Sequence, residues 1–129
     1  MHKLKSLTIF FPVYNDAKSI TSLVQKAQAV GEKVSQHHEI IIANDGSTDD
    51  TSKVIAQLQY RYPVRVVHHQ HNLGYGAALR SGFAHAKGEF VFYTDGDGQY
   101  DPRELADLAK KMTSDVDVVN GYKRVRHDE

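Results

Sequence analysis

The residues best suited to chemistry lie in Phe90-Val-Phe-Tyr-Thr-Asp95-Gly-Asp97-Gly-Gln99-Tyr-Asp101-Pro102, where an apolar run gives way to alternating carboxylates and glycines. The run reads as a buried strand. The carboxylates then stand at its C-terminal mouth, where open α/β sheets hold their ligands. Asp95 and Asp97 are one residue apart with Asp101 nearby, and carboxylates so placed repel one another. A divalent cation bound through oxygens would relieve that repulsion. Mg2+ or Mn2+, held by few protein ligands and completed by phosphates and water, suits an Asp-x-Asp pair. A calcium loop of the EF-hand type fails on detail, because its sixth position is Tyr100 instead of glycine and its twelfth is Ala106 instead of glutamate. The bland alternative is a solvated acidic turn.

Three more polar clusters follow apolar runs: Pro12-Val-Tyr14-Asn15, Asn44-Asp45-Gly46-Ser47-Thr48-Asp49 and Asn72-Leu-Gly74-Tyr-Gly76. In a parallel sheet all four would share one edge and converge on one cleft. Asp45 either belongs to a simple turn with a helix cap or accepts a ring N–H of a pyrimidine base, with Tyr14 stacked on or beside the ring. The Asn72-x-Gly74-x-Gly76 segment resembles part of a dinucleotide fingerprint. It follows the third strand instead of the first, however, and Leu79 stands where the third glycine belongs. A glycine-bearing helix start can still approach a phosphate. Arg80, one turn further on, is either a solvated charge or a partner for the cleft carboxylates. His68, His69 and His71 lack the spacing of a metal site and read as loop surface.

The elements that must position these clusters alternate along the chain. Leu7 to Phe11 reads as a first strand stopped by Pro12, which removes a ladder donor. Asn15 or Asp16 can cap the helix that follows, whose stripe is Ile20, Leu23, Val24, Ala27 and Val30 and whose stop is at or near Gly31. Glu39 to Ala43 is a second strand, and Val54, Ile55 and Leu58 mark a second helix ended by Tyr62-Pro63. Val64 to Val67, Ala77 to Ala86 and Glu89 to Thr94 read as strand, helix and strand. Pro102 opens a fourth helix with the stripe Leu105, Leu108, Ala109 and Met112, and Val116 to Val119 is a candidate fifth strand. The pattern predicts an α/β, Rossmann-like domain, a mostly parallel sheet with helices on both faces.

Composition narrows the classes. The chain has 129 residues, enough for one domain spanning 1–129. Lys plus Arg and Asp plus Glu number 16 each, so the basic excess of a nucleic-acid binder is absent. Without cysteine there is neither a disulfide nor a thiolate metal site. No apolar segment approaches the roughly 20 residues of a membrane span. A cytoplasmic location is expected, with any attachment to the cytoplasmic face of a membrane supplied by parts outside this chain.

The four clusters, taken in order as Pro12-Val-Tyr14-Asn15, Asn44-Asp45-Gly46-Ser47-Thr48-Asp49, Asn72-x-Gly74-x-Gly76-Ala-Ala-x-Arg80-x-Gly82 and Asp95-x-Asp97-x-Gln99, resemble those of the family 2 inverting glycosyltransferases of GT-A fold. The resemblance runs from residue 7 to about 124. Gln99, and Gly121 with the basic residues near 124, are most similar to the branch with dolichol-phosphate mannosyl- and glucosyltransferases and their polyprenyl-phosphate relatives. It implies that Pro12, Tyr14, Asn15 and Asp45 line a nucleotide pocket, that Gly74 and Arg80 shape the diphosphate and sugar side, and that Asp95 contacts the donor. Asp97 and Gln99 would hold Mg2+ or Mn2+, making Asp95 and Asp97 the implied catalytic pair. Arg124 and Arg126 would meet the phosphate of a lipid acceptor at a membrane surface. The implied partner is a UDP- or GDP-sugar, and the chain would be the donor half of a longer transferase. Two departures stand out, Asn44 where the family often has aspartate and Gly96 where this branch often has alanine. A nucleotidyltransferase or dinucleotide-binding domain would instead want its glycine-rich loop where Pro12-Val-Tyr14-Asn15 stands.

Overall fold

The computed structural model describes residues 3–98 and 101–109. Strand and helix alternate as β1 (Leu4–Val13), α1 (Ile20–Val34), β2 (Ser35–Asp45), α2 (Thr51–Arg61), β3 (Val64–His69), α3 (Tyr75–His85) and β4 (Phe90–Tyr93). A 3-10 turn (Pro102–Glu104) then leads into α4 (Leu105–Ala109). All strand pairs are parallel, in the order β3-β2-β1-β4. The chain steps outward from β1 to β3 and returns on the other side of β1. That reversal opens a crevice between the C-terminal ends of β1 and β4, the place where such sheets bind ligands.

β1 is the centre because it is apolar on both faces. Leu7, Ile9, Phe11 and Val13 join Ile40 and Ile42 of β2 in one core with Ile20, Leu23, Val24, Ala27 and Val30 of α1 and Leu105 of α4. Phe10 points the other way and meets Phe83 of α3 edge-on at 5.1 Å. Each such side chain contributes about 1.5–3 kcal/mol when fully buried. Two-sided burial therefore anchors β1 and brings its C-terminal end to the polar edge of the sheet. On the α3 face, Glu39 of β2 accepts from Thr8 of β1 (2.6 Å), Arg65 of β3 (2.7 Å) and the Lys87 backbone (2.7 Å), tying neighbouring strands together.

Several element ends differ from the sequence-based expectation. β1 continues through Pro12 to Val13, paired with β2 throughout. In an extended strand a residue's N and O point to the same side. The Pro12 carbonyl accepts from Gly96 N beyond the end of β4, so the missing N–H faces a place where the partner strand has already stopped. α1 runs past Gly31 to Val34, and Gly31 is buried where an added Cβ would lie 2.6 Å from the His38 ring. It is a packing glycine, not a stop. β2 and β3 are also longer than expected. Pro102 opens a 3-10 turn capped by Asp101, which accepts from Arg103 N at 2.9 Å. The candidate strand Val116 to Val119 and Met112 lie outside the described residues.

α3 lies so close to the sheet that an added Cβ at Gly82 would overlap the Phe10 ring. Gly82→Ala should therefore destabilise the fold by about 1–3 kcal/mol through overpacking. Urea denaturation would read this, and an unchanged midpoint would contradict the close approach.

Candidate functional site

The four polar clusters do meet. A cleft of roughly 340 Å3 is lined by residues that include Pro12, Tyr14, Asp45, Gly74, Asp95 and Asp97. Tyr14 is half exposed at its mouth, and Asp95 and Asp97 follow β4 directly.

Asp45, the last residue of β2, is buried in the wall. Its Oδ1 accepts from Leu73 N (2.8 Å) and from His69 Nδ1 (2.8 Å), and its Oδ2 accepts from Gly74 N (3.0 Å). Burial pushes the Asp45 carboxyl up, but the bonds from His69, Leu73 and Gly74 outweigh it and hold the group below the usual carboxylate value. The side chain thus fixes the loop that starts α3. Gly46 permits the close approach of the two loops. It has φ of 69°, and an added Cβ would run into the backbone of His71 and Asn72.

Two asparagines stitch the same edge. Asn15 adopts φ of 55°, and its backbone N–H donates to Ser47 Oγ at 3.1 Å. Its side-chain oxygen accepts from Thr48 N at 2.8 Å and Asp49 N at 3.3 Å. Asn15 therefore binds the β2–α2 loop and does not cap its own helix. Asp16 makes no side-chain cap either, since its carboxylate takes the Tyr14 N–H at 3.0 Å. Buried Asn44 donates to Ser52 Oγ (2.9 Å), lies 3.1 Å from His68 Nδ1, and accepts from Ser47 Oγ (2.6 Å). Asn44 thus donates with its amide nitrogen and accepts with its amide oxygen, joining the loop to the start of α2.

Across the crevice the charge is negative. Burial raises the Asp16 pKa, the Tyr14 N–H pulls it partly back, and the charges of Asp97, Asp49 and Asp95 push it further up. The Tyr75 hydroxyl donates to Asp95 Oδ1 at 2.7 Å. Burial, then that bond, then the nearby carboxylates raise the Tyr75 pKa well above its usual value, so the phenol stays protonated. Among the described residues no three His, Cys, Asp or Glu side chains form a complete ion cage. Asp95 and Asp97 are the oxygen donors on this rim that could hold a hard cation, and such an ion would need a ligand's phosphates and water to complete its shell. Gly96 sits between them in tight surroundings, where an added Cβ would lie 2.5 Å from Val13 Cγ1 and 2.8 Å from Asp16 Oδ2.

This arrangement of sheet and loops coincides with a known family: the model of glycosyl transferase family 2 matches residues 8–129. The chain belongs to that family. A dolichyl-phosphate beta-glucosyltransferase, ALG5C of Trichomonas vaginalis, is 33% identical over 113 residues, covering 83% of this chain and 34% of its own length. The solved mannosyltransferase PcManGT of Pyrobaculum calidifontis, in complex with GDP-Man and Mn2+, is 25% identical with a TM-score of 0.69, over 85% of this chain and 32% of that one. The S. aureus TarS 1-349 structure in complex with UDP-GlcNAc is 26% identical with a TM-score of 0.64, over 84% of this chain and 30% of that one. This family 2 chain thus spans about a third of the length of these relatives, and its fold is that of GT-A glycosyltransferases.

Of the residues expected to carry the site, Pro12, Tyr14, Asp45, Gly74, Asp95 and Asp97 line the cleft, while Asn15 supports it from the rim. Arg80 is exposed and stands outside the lining. Gln99, Arg124 and Arg126 lie outside the described residues. His69, expected as loop surface, instead ends β3 with its side chain 11% exposed against Asp45. Tyr75 and the wall role of Asp16 carried no sequence signal beyond a tyrosine between glycines and an aspartate near a helix start.

Asp45 gives a pH test. Its depressed pKa means that its stabilisation is present above the ordinary value of 3.8 and is lost as pH falls through the lower folded-state value. Asp45→Asn should be less stable than wild type by about 1–3 kcal/mol near neutral pH, with the gap closing as pH falls below the ordinary carboxylate value and through the lower folded-state one. Urea midpoints across that range check it, and a gap independent of pH would contradict it.

Proposed function

We propose that this chain is the donor-binding part of an inverting glycosyltransferase that moves a sugar from a UDP- or GDP-sugar to a polyprenyl or dolichyl phosphate. The observation that carries the reading is the convergence of four strand-end loops on one cleft at the β1–β4 crevice, with carboxylates on its β4 side. The relatives named above support it, since one is a complex with GDP-Man and Mn2+ and another with UDP-GlcNAc. The acceptor class rests on the dolichyl-phosphate glucosyltransferase relative.

In this reading Pro12, Tyr14 and Asp45 receive the nucleoside, Tyr14 by its ring face and Asp45 by accepting a base N–H. Asn15 keeps the β2–α2 loop in place beneath it. Gly74 and the N-terminus of α3 face the diphosphate, where backbone N–H groups favour an anion, and Arg80 adds positive charge one turn away. Asp95, oriented by the Tyr75 hydroxyl, faces the sugar side of the donor. Mg2+ or Mn2+ held by Asp97 with Gln99 would act as a Lewis acid on the diphosphate leaving group. A lipid phosphate is already an anion and needs no general base to attack the anomeric carbon. Arg124 and Arg126 would attract it, and the reaction would take place at the cytoplasmic face of a membrane.

Calorimetry with UDP and with GDP, each with and without Mn2+, tests the reading. Metal-dependent binding of one nucleotide is expected. Asp97→Ala should abolish the metal dependence of nucleotide binding. Absence of metal-dependent heat with both nucleotides would overturn the proposal.

A further inference from the structure

His69 is the cross-strand partner of Asp45, the two residues standing opposite each other at the ends of β3 and β2. Its ring is wedged between Asp45 and α3, with Nδ1 2.8 Å from Asp45 Oδ1 and Nε2 2.7 Å from Ser81 Oγ. A carboxylate only accepts, so Nδ1 carries a proton and donates to Asp45, while Nε2 is left to the Ser81 hydroxyl. Both partners of the Asp45–His69 contact are nearly excluded from water, at 4% and 11% side-chain exposure.

We infer that His69 is a positioning residue for nucleotide recognition, acting through Asp45. The inference rests on the proposal that Asp45 accepts a base N–H. The terminal torsion of an aspartate is soft and roughly two-fold, so the carboxylate needs external donors to keep one orientation. Oδ1 is saturated by two donors, His69 Nδ1 and Leu73 N. Among the described residues Oδ2 takes only Gly74 N, and a carboxylate oxygen accepts about two hydrogen bonds. One acceptor position therefore remains on Oδ2, which makes Oδ2 the oxygen for the base N–H. Without His69, Leu73 N and Gly74 N still bind the carboxylate, but its plane is no longer fixed from the strand side. The loop stays attached and the acceptor loses its aim.

Two substitutions separate this role from simple packing. In His69→Asn the side-chain amide nitrogen takes the place of Nδ1, keeping the bond to Asp45 and losing Ser81. In His69→Gln it takes the place of Nε2, keeping Ser81 and losing Asp45. Calorimetric affinity for UDP and for GDP with Mn2+ is measured beside the melting temperature of each variant. His69→Asn should bind the preferred nucleotide within about threefold of wild type, and His69→Gln should bind on the order of tenfold more weakly, the loss of one hydrogen bond to a charged group. The melting temperatures should not follow that order. Equal affinities of the two variants, the reverse order, or affinity losses that track melting temperature would overturn the inference alone. A wild-type chain that binds neither nucleotide would overturn the donor reading, and this inference with it.

Discussion

Three donors from two segments converge on the buried carboxylate of Asp45: the ring of His69, at the end of β3, and the backbone of Leu73 and Gly74 in the loop that starts α3. Burying a charge is costly unless it is compensated, and three charge-assisted bonds supply the compensation. The geometry exists only because β2 and β3 pair so that Asp45 stands opposite His69. A slip of one residue would turn every side chain of β3 to the other face. His68 would then face Asp45, and both the Asn44–His68 contact and the Asp45–His69 pair would be lost. The sheet register, set by apolar residues such as Ile40, Ile41 and Ile42, thus determines where the polar edge can form.

The remaining loops are held by the same means. Asn15 carries the end of β1 to the β2–α2 loop, and Asn44 locks that loop to Ser52 and Ser47. The crossing from β1 to β4 closes through Gly96 N on the Pro12 carbonyl and through the Ser19 hydroxyl on the Gly96 carbonyl. The two sides of the cleft differ in character. On the β2 side the polar groups are held in place by the protein and act as a frame, with one acceptor position left on Asp45 Oδ2. On the β4 side Asp95, Asp97 and Asp16 concentrate negative charge around a tightly packed glycine. A frame beside a charged rim suits a ligand with a neutral base at one end and a metal-bound diphosphate at the other.

The parallel α/β plan and the meeting of the four clusters were legible in the sequence, because hydrophobic period and strand-end polarity are local signals. The α1 stripe Ile20, Leu23, Val24, Ala27 and Val30 is buried in full. Element ends were less legible because they depend on neighbours. Pro12 stays in β1 only because β4 is short on that side, and Gly31 stays inside α1 because the His38 ring occupies its space. His69 looked like loop surface because a sequence does not reveal which residue a strand end will face. Asn15 resembled a helix cap for the same reason, its partners lying more than thirty residues away in the β2–α2 loop.

The proposed function puts the nucleotide in the crevice between β1 and β4 of this family 2 domain. Backbone amide shifts of the isotope-labelled chain, recorded by NMR during titration with UDP or GDP in the presence of Mg2+, test it most directly. Perturbations concentrated at residues 13–16, 45–48, 72–76 and 95–98 are expected. Perturbations centred instead on the groove formed by Gln59, Arg65 and His85 on the α2–β3 side, or no saturable change with either nucleotide, would contradict it.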